Sequence, residues 1–283
     1  AAAFAPGLAV VNTATPTLAG DLAFVDELSA RIPAVRCVVF GITAGHFAES
    51  VARRPSVAAV VCGEPEMTVL ELAGTADWGN VRGIALREGA GPAVRTPPRE
   101  PLDLDLLPPP AWDMVDLAPY RLPVTGERYV MVATGRGCPY GCVFCVSPGY
   151  YGRTVRTKRA ANVSRELRFA ASLGVSSVFF FTETFTLDRG YVTELCAGIA
   201  AERLGLTWFC NSRVDTVDLE TLRAMRAAGC RIISFGIESG NQGLLDRAGK
   251  RTTVGRAREA VSMARAAGLT TLGHFLLGLP GET

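Results

Sequence analysis

The sequence has no apolar run close to the ~18–20 residues that a membrane-spanning helix requires. It has no excess of one charge: 29 Lys and Arg stand against 27 Asp and Glu, a net charge of +2. That balance excludes nucleic acid or a membrane as an electrostatically driven partner. The opening "AAAFAPGLAVV" has neither Met nor a basic leader, so it does not read as a secretory signal. With the abrupt close "HFLLGLPGET", it predicts a chain cut within a domain at both ends. Without a leader, the eight cysteines are not expected to form a disulfide framework, and a reducing, cytoplasmic compartment fits them. Histidine is nearly absent, limited to His46 and His274.

What is present is an ordinary globular composition, 283 residues of which 48% are hydrophobic, enough for one to two domains. Residues 1–93 alternate apolar strands with helical patterns. "LAVVNTA", "VRCVVFGI" and "VAAVVCG" read as buried parallel strands. Between them, "DLAFVDELSARI" puts Leu22, Val25, Leu28 and Ile32 on one helical face. This is a doubly wound α/β sheet of the flavodoxin or Rossmann kind, with its first strand missing. Two short runs around a Gly-rich turn at 81–95 suit a hairpin. A proline-rich linker over 94–124 holds the domain boundary.

Residues 125–283 carry a repeated rhythm: a helical pattern, a glycine, then an apolar strand. The joints are Gly174, Gly205, Gly229 and Gly268, each placed to cap a helix in the left-handed conformation. With "RYVMVATG" in front, five strands and their helices predict part of a TIM-like (β/α)6 barrel. Such barrels keep their chemistry at the carboxyl ends of the strands. Here those ends are a cysteine loop, Thr182-Glu183-Thr184, Asn211-Ser212-Arg213 and Glu238-Ser239-Gly240.

The loop, "GRGCPYGCVFC", holds Cys138, Cys142 and Cys145 within eight residues. A structural zinc site normally takes four ligands, and no fourth lies nearby in sequence. A zinc site completed by His274 stays open as an alternative. A cubane iron–sulfur cluster with three thiolate corners and one open iron suits the loop better, and Pro139 and Gly141 supply its bends.

"CPYGCVFC" resembles the CxxxCxxC motif of radical S-adenosylmethionine (SAM) enzymes, and its place after a first barrel strand agrees. The resemblance implies that Cys138, Cys142 and Cys145 hold a [4Fe–4S] cluster whose open iron SAM chelates. A one-electron reductant such as flavodoxin or ferredoxin then drives cleavage of SAM to a 5′-deoxyadenosyl radical, which attacks a small-molecule substrate. It places Phe144 near the adenine, Glu183 on the SAM ammonium, Arg213 on its carboxylate, and Glu238 with Ser239 near the ribose. Thr182 stands where relatives usually carry a second acid. "GEPEMT" (Gly63, Glu64, Glu66, Thr68) and the proline-rich stretch resemble the cobalamin-binding domain and linker that precede many such barrels. By that resemblance Thr13, Thr15, Gly41, Thr43, Gly63 and Glu64 contact the corrin at the carboxyl edge of the sheet. The sequence has no Asp-x-His-x-x-Gly, so a histidine ligand to cobalt is not implied. The expected activity is methyl transfer to an unactivated carbon. The alternatives are a cyclisation or rearrangement without methyl transfer, and a non-catalytic iron–sulfur or zinc protein. The basic stretch "YYGRTVRTKR" (150–159) reads either as a solvated loop or as a lid over an anionic group.

Overall fold

A computed structural model describes residues 4–282 apart from Glu88, Ala90 and Val124. Residues 88 and 90, in the turn of the expected hairpin, lie outside the described residues. The chain divides into two units, Ala1–Leu102 with Gly149–Tyr151, and Asp103–Pro148 with Gly152–Thr283.

In the first unit, β1 (Leu8–Asn12), β2 (Arg36–Phe40) and β3 (Ala59–Val61) lie parallel and side by side. The antiparallel β4 (Ile84–Arg87) and β5 (Ala93–Arg95) extend the sheet. Four helices accompany it: α1 (Leu18–Arg31), α2 (Ile42–His46), α3 (Ala48–Ala52) and α4 (Pro65–Gly74). The inner strands are apolar and buried over 37–39 and Ala59–Val61 because both faces are covered there. Cys37, Val39 and Val60 pack with Leu22, Val25 and Leu28 of α1. Their neighbours Val38, Ala59 and Val61 point the other way and pack with Leu72 and Trp78. Helices on both faces give the expected Rossmann-like layering.

The second unit is built on β6 (Tyr129–Ala133), β9 (Ser177–Phe181), β10 (Thr207–Ser212), β11 (Cys230–Glu238) and β12 (Thr270–Phe275), all parallel and adjacent in that order. Between β6 and β9 come β7 (Gly135–Arg136), α5 (Ser147–Tyr151), β8 (Arg156–Thr157) and α6 (Ala160–Ser172). The later crossovers are α7 (Arg189–Glu202), α8 (Leu219–Ala227), then α9 (Gln242–Arg247) with α10 (Val254–Ala266). A strand order that follows chain order, with a helix in each crossover, is the arrangement of a partial barrel. The helix-facing side chains Val130, Val132, Val178, Phe180, Trp208, Cys210, Ile233 and Phe235 form its core. Helix starts are fixed by Asp188, Asp218, Asn241 and Thr253, each accepting from a backbone N–H of the first turn. The four joint glycines have φ of 73°, 69°, 103° and 78°, the left-handed values their positions predict.

The proline-rich stretch differs from a free linker. Thr96 and Pro97 still pair with Ile84 and Gly83, so its start belongs to the first sheet. In the second unit, the Asp105 carboxylate accepts from Arg159 Nε at 2.9 Å, Leu104 is buried, and Trp112 stacks on Phe169. Apolar and acidic residues between the prolines find partners even though proline itself cannot donate.

Cys37, Cys196, Cys210 and Cys230 are buried in the cores as small apolar groups, and burial pushes the Cys196 thiol up to about 12. Among the described residues no helix is long and apolar enough to cross a membrane.

Candidate active site

β7 and β8 pair antiparallel and close the base of the cysteine loop. At its entry, Gly137 has φ +97°, and a Cβ there would lie 2.2 Å from the Thr154 carbonyl, so only glycine fits. The loop is then tied down by its backbone. Cys138 N donates to Gly152 O at 3.2 Å, Cys145 N to Cys142 O at 3.1 Å, and Val143 N to Ala248 O at 3.0 Å. All three thiols line one cavity of about 260 Å³ at the carboxyl ends of the strands. Among the described residues, no three His, Cys, Asp or Glu side chains converge on a point where a single ion would sit. His274 lines the same cavity from β12 without completing such a site. Three thiols lining one cavity suit three corners of a multi-iron cluster with one iron left open. Burial pushes the Cys138 thiol up, a cost that coordination to a cationic metal reverses.

The cavity brings together Phe144, Glu183, Arg213 and Glu238 with the cysteines. Glu183 Oε1 accepts from Ser147 Oγ at 2.9 Å, whereas its Oε2 is buried and accepts no hydrogen bond. Burial raises the pKa of this carboxyl, opposed by backbone and Ser147 hydrogen bonds and by the nearby Arg136 charge. Glu238 has φ +66°, a conformation that side chains rarely adopt. A register shift between Gly236 and Glu238 accompanies it. Together they turn Glu238 into the site, where Oε1 pairs with Lys250 Nζ at 2.7 Å, both side chains buried. The same irregularity separates Ser239 from the others. Its hydroxyl accepts from Asn241 N, and the residue lines a different groove with Val254 and Phe275. Glu238 and Ser239, both expected near the ribose, thus line different cavities on either side of this bulge.

Lys250, Ser147 and Asp215 belong to the site and escaped the sequence reading, which had named His274 only as a possible zinc ligand. A lysine in "AGKRTT" reads as surface charge, and only tertiary packing buries it. Asp215 had a signal, its i+2 spacing from Arg213. Three cations of the basic stretch 150–159 are engaged within the second unit. Lys158 is buried against Glu166 at 2.5 Å, Arg159 pairs with Asp105, and Arg153 donates to Tyr140 O.

In the first unit, the six residues expected at the corrin edge follow the carboxyl ends of β1, β2 and β3. Thr13 Oγ1 donates to Phe40 O at 2.8 Å, and the Thr15 and Thr43 hydroxyls are 2.5 Å apart. Gly41 has φ +128°, and a Cβ would meet Thr13 O at 2.1 Å, so the β1 and β2 ends approach too closely for any side chain. A Cβ on Gly63 would meet open space, and Glu64 precedes the first turn of α4.

The radical SAM superfamily matches residues 132–283, more than half of the chain. This chain belongs to the radical SAM superfamily. Its cofactors are accordingly the [4Fe–4S] cluster and SAM of that family. An uncharacterized methyltransferase of Pyrococcus horikoshii is 32% identical over 280 residues, covering 96% of this chain and 60% of that protein. The anaerobic magnesium-protoporphyrin IX monomethyl ester cyclase of Rubrivivax gelatinosus is 30% identical over 240 residues, 81% of this chain and 43% of that one. This radical SAM chain thus spans roughly half the length of such relatives. The radical SAM methyltransferase TsrM of Kitasatospora setae, solved with cobalamin and a [4Fe–4S] cluster bound, superposes with a TM-score of 0.80 at 21% identity, over 98% of this chain and 57% of that one. That likeness shows the fold of both units.

Proposed function

We propose that this chain is the cobalamin- and SAM-binding part of a radical SAM methyltransferase acting on an unactivated carbon of a small molecule. One observation carries the reading: a cavity ringed by three thiols also holds a buried carboxylate oxygen, Glu183 Oε2, that lacks a partner. A buried unpaired carboxylate oxygen is costly, and a cationic N–H ligand is what it calls for. The donor set fits the family's cofactors. Cys138, Cys142 and Cys145 would hold the cluster, Glu183 would receive the SAM ammonium, and Phe144 would offer a ring face to the adenine. Glu238, held in place by its contact with Lys250, would accept from ribose hydroxyls. The bound cofactors supply one-electron cleavage of SAM and methyl delivery, and the protein's part is to bind, orient and exclude water. Thr13, Thr15, Gly41, Thr43, Gly63 and Glu64 offer small and polar groups at a sheet edge where open α/β folds take ligands, which suits a corrin. Cobalamin in TsrM supports that assignment. The reductant would be a flavodoxin- or ferredoxin-like protein, and the compartment cytoplasmic.

The cyclase relative keeps cyclisation without methyl transfer as the second reading. Product analysis separates the two. Turnover yielding S-adenosylhomocysteine together with 5′-deoxyadenosine supports methyl transfer. Deoxyadenosine alone, with no methylated product, refutes it.

Glu183→Gln tests the ammonium assignment. Loss of a charge-assisted hydrogen bond worth about 1.5–3 kcal/mol weakens SAM binding about 10–100-fold. Equilibrium binding to the reconstituted protein reads this directly. In the cofactor-free protein the same change is stabilising, by about 1 kcal/mol at pH 8, because a neutral amide replaces a buried charge. The sign follows from the raised carboxyl. The wild-type penalty is absent below the ordinary carboxylate range, where Glu183 is protonated folded or unfolded, and grows as pH rises through its folded value. Urea unfolding at pH 5 and pH 8 compares the two proteins.

A further inference from the structure

Arg213 sits at the end of β10, 4% exposed, and its donors are almost all committed within the protein. Nε and Nη2 grip the Asp215 carboxylate at 2.9 and 2.8 Å, and Nη2 also donates to Lys250 O at 2.7 Å. The ring of Tyr140 lies 3.6 Å from the guanidinium carbon and covers one face. What is left is Nη1, and it lies 3.8 Å from Cys142 Sγ. A carboxylate ligand is best held by two parallel N–H groups on one edge of the fork. The Nε–Nη2 edge is taken by Asp215, and the Lys250 carbonyl occupies the remaining proton of Nη2, so neither edge is free for a second carboxylate.

We propose that Arg213 tunes the cluster through a hydrogen bond to the Cys142 sulfur, rather than holding the carboxylate of SAM. The inference rests on the cluster reading above. Asp215 fixes the guanidinium plane and Tyr140 its height, so Nη1 is delivered to one sulfur and cannot swing away. Tyr140 belongs to the same loop, between Cys138 and Cys142, which means the guanidinium grips that loop at two points. A donor aimed at a ligating sulfur withdraws charge from it, stabilises the reduced, more negative cluster and raises its potential. The other three contacts serve to hold that donor still.

The test is the midpoint potential of the SAM-free cluster, followed by EPR during a reductive titration of reconstituted full-length protein. Without SAM, a residue that only binds SAM leaves this potential unchanged. Arg213→Met is expected to move it to a more negative value while SAM affinity stays within threefold of wild type. Arg213→Lys, which keeps the charge but not the fork, moves it the same way by less, and it carries the test if Arg213→Met retains no cluster. A potential equal to that of wild type overturns the proposal, and a tenfold loss of SAM affinity alongside it returns Arg213 to the carboxylate. Iron and sulfide analysis of the wild type keeps the premise separate: four of each supports the cluster, and one zinc without sulfide removes it before Arg213 is tested.

Discussion

Cys138→Ala, Cys142→Ala and Cys145→Ala each abolish the broad visible absorption of the reconstituted protein and its bound iron and labile sulfide. The effect is total rather than graded because each thiolate holds a separate corner, and no neighbouring side chain is placed to replace it. His274, Glu183 and Glu238 also line the cavity, and among the described residues none converges with two other donors on a common point. The thiol-to-methyl change barely alters the loop itself, which is held by backbone bonds from Cys138, Val143 and Cys145. Circular dichroism of the three variants therefore stays at the wild-type value while the chromophore is lost. An unchanged visible spectrum in any one of them would falsify the assignment of that cysteine. Loss of all three spectra with retention of one tightly held zinc would point to the zinc alternative.

The second large effect lies away from the cavity. Lys158→Met destabilises the protein by about 3–5 kcal/mol near neutral pH, because it strands the charge of Glu166 in the core. Glu166 is fully buried, its Oε1 pairs with Lys158, and its Oε2 has no partner. Burial raises the pKa of this carboxyl, and the hydrogen bond and charge of Lys158 oppose the rise. Removing the lysine leaves burial unopposed. The penalty is then present above the folded pKa of Glu166 and fades as pH falls to the ordinary carboxylate range, where folded and unfolded chains both carry the proton. Denaturant unfolding at pH 5 and pH 8 should show the gap between variant and wild type narrowing at the lower pH. The double variant Lys158→Met, Glu166→Leu recovers most of the loss, since an apolar pair of similar volume replaces a buried ion pair at little cost. A double variant as unstable as the single one would show that the lysine acts through packing and not through charge.

These two predictions divide along the line between sequence and structure. The cysteine loop was legible in the chain because spacing encodes it. Three thiols within eight residues stay close whatever the fold does, and the glycine at position 137 marks the turn that admits them. The barrel rhythm was legible for the same local reason, since a helix, a left-handed glycine and an apolar strand are each properties of a few consecutive residues. Lys158 was not. In sequence it is one of four cations in a polar loop, and its burial depends on a glutamate eight positions away in α6. The bulge beside Glu238 was equally hidden, since a positive φ at a glutamate and a one-residue register shift leave no mark on composition or spacing.

By itself the sequence determined the succession of the two α/β segments, the strand ends where polar groups collect, and the closeness of the three cysteines proposed to hold the cluster. All of these are set by short-range spacing and by the periods of strand and helix. Only the tertiary structure decided which polar groups meet. It committed Arg213 to Asp215 and Cys142, paired Glu238 with Lys250, and left one oxygen of Glu183 without a partner inside the cavity. The physical reason is that burial and pairing fix what a charged side chain does, and both depend on residues brought together across the sheet from distant parts of the chain.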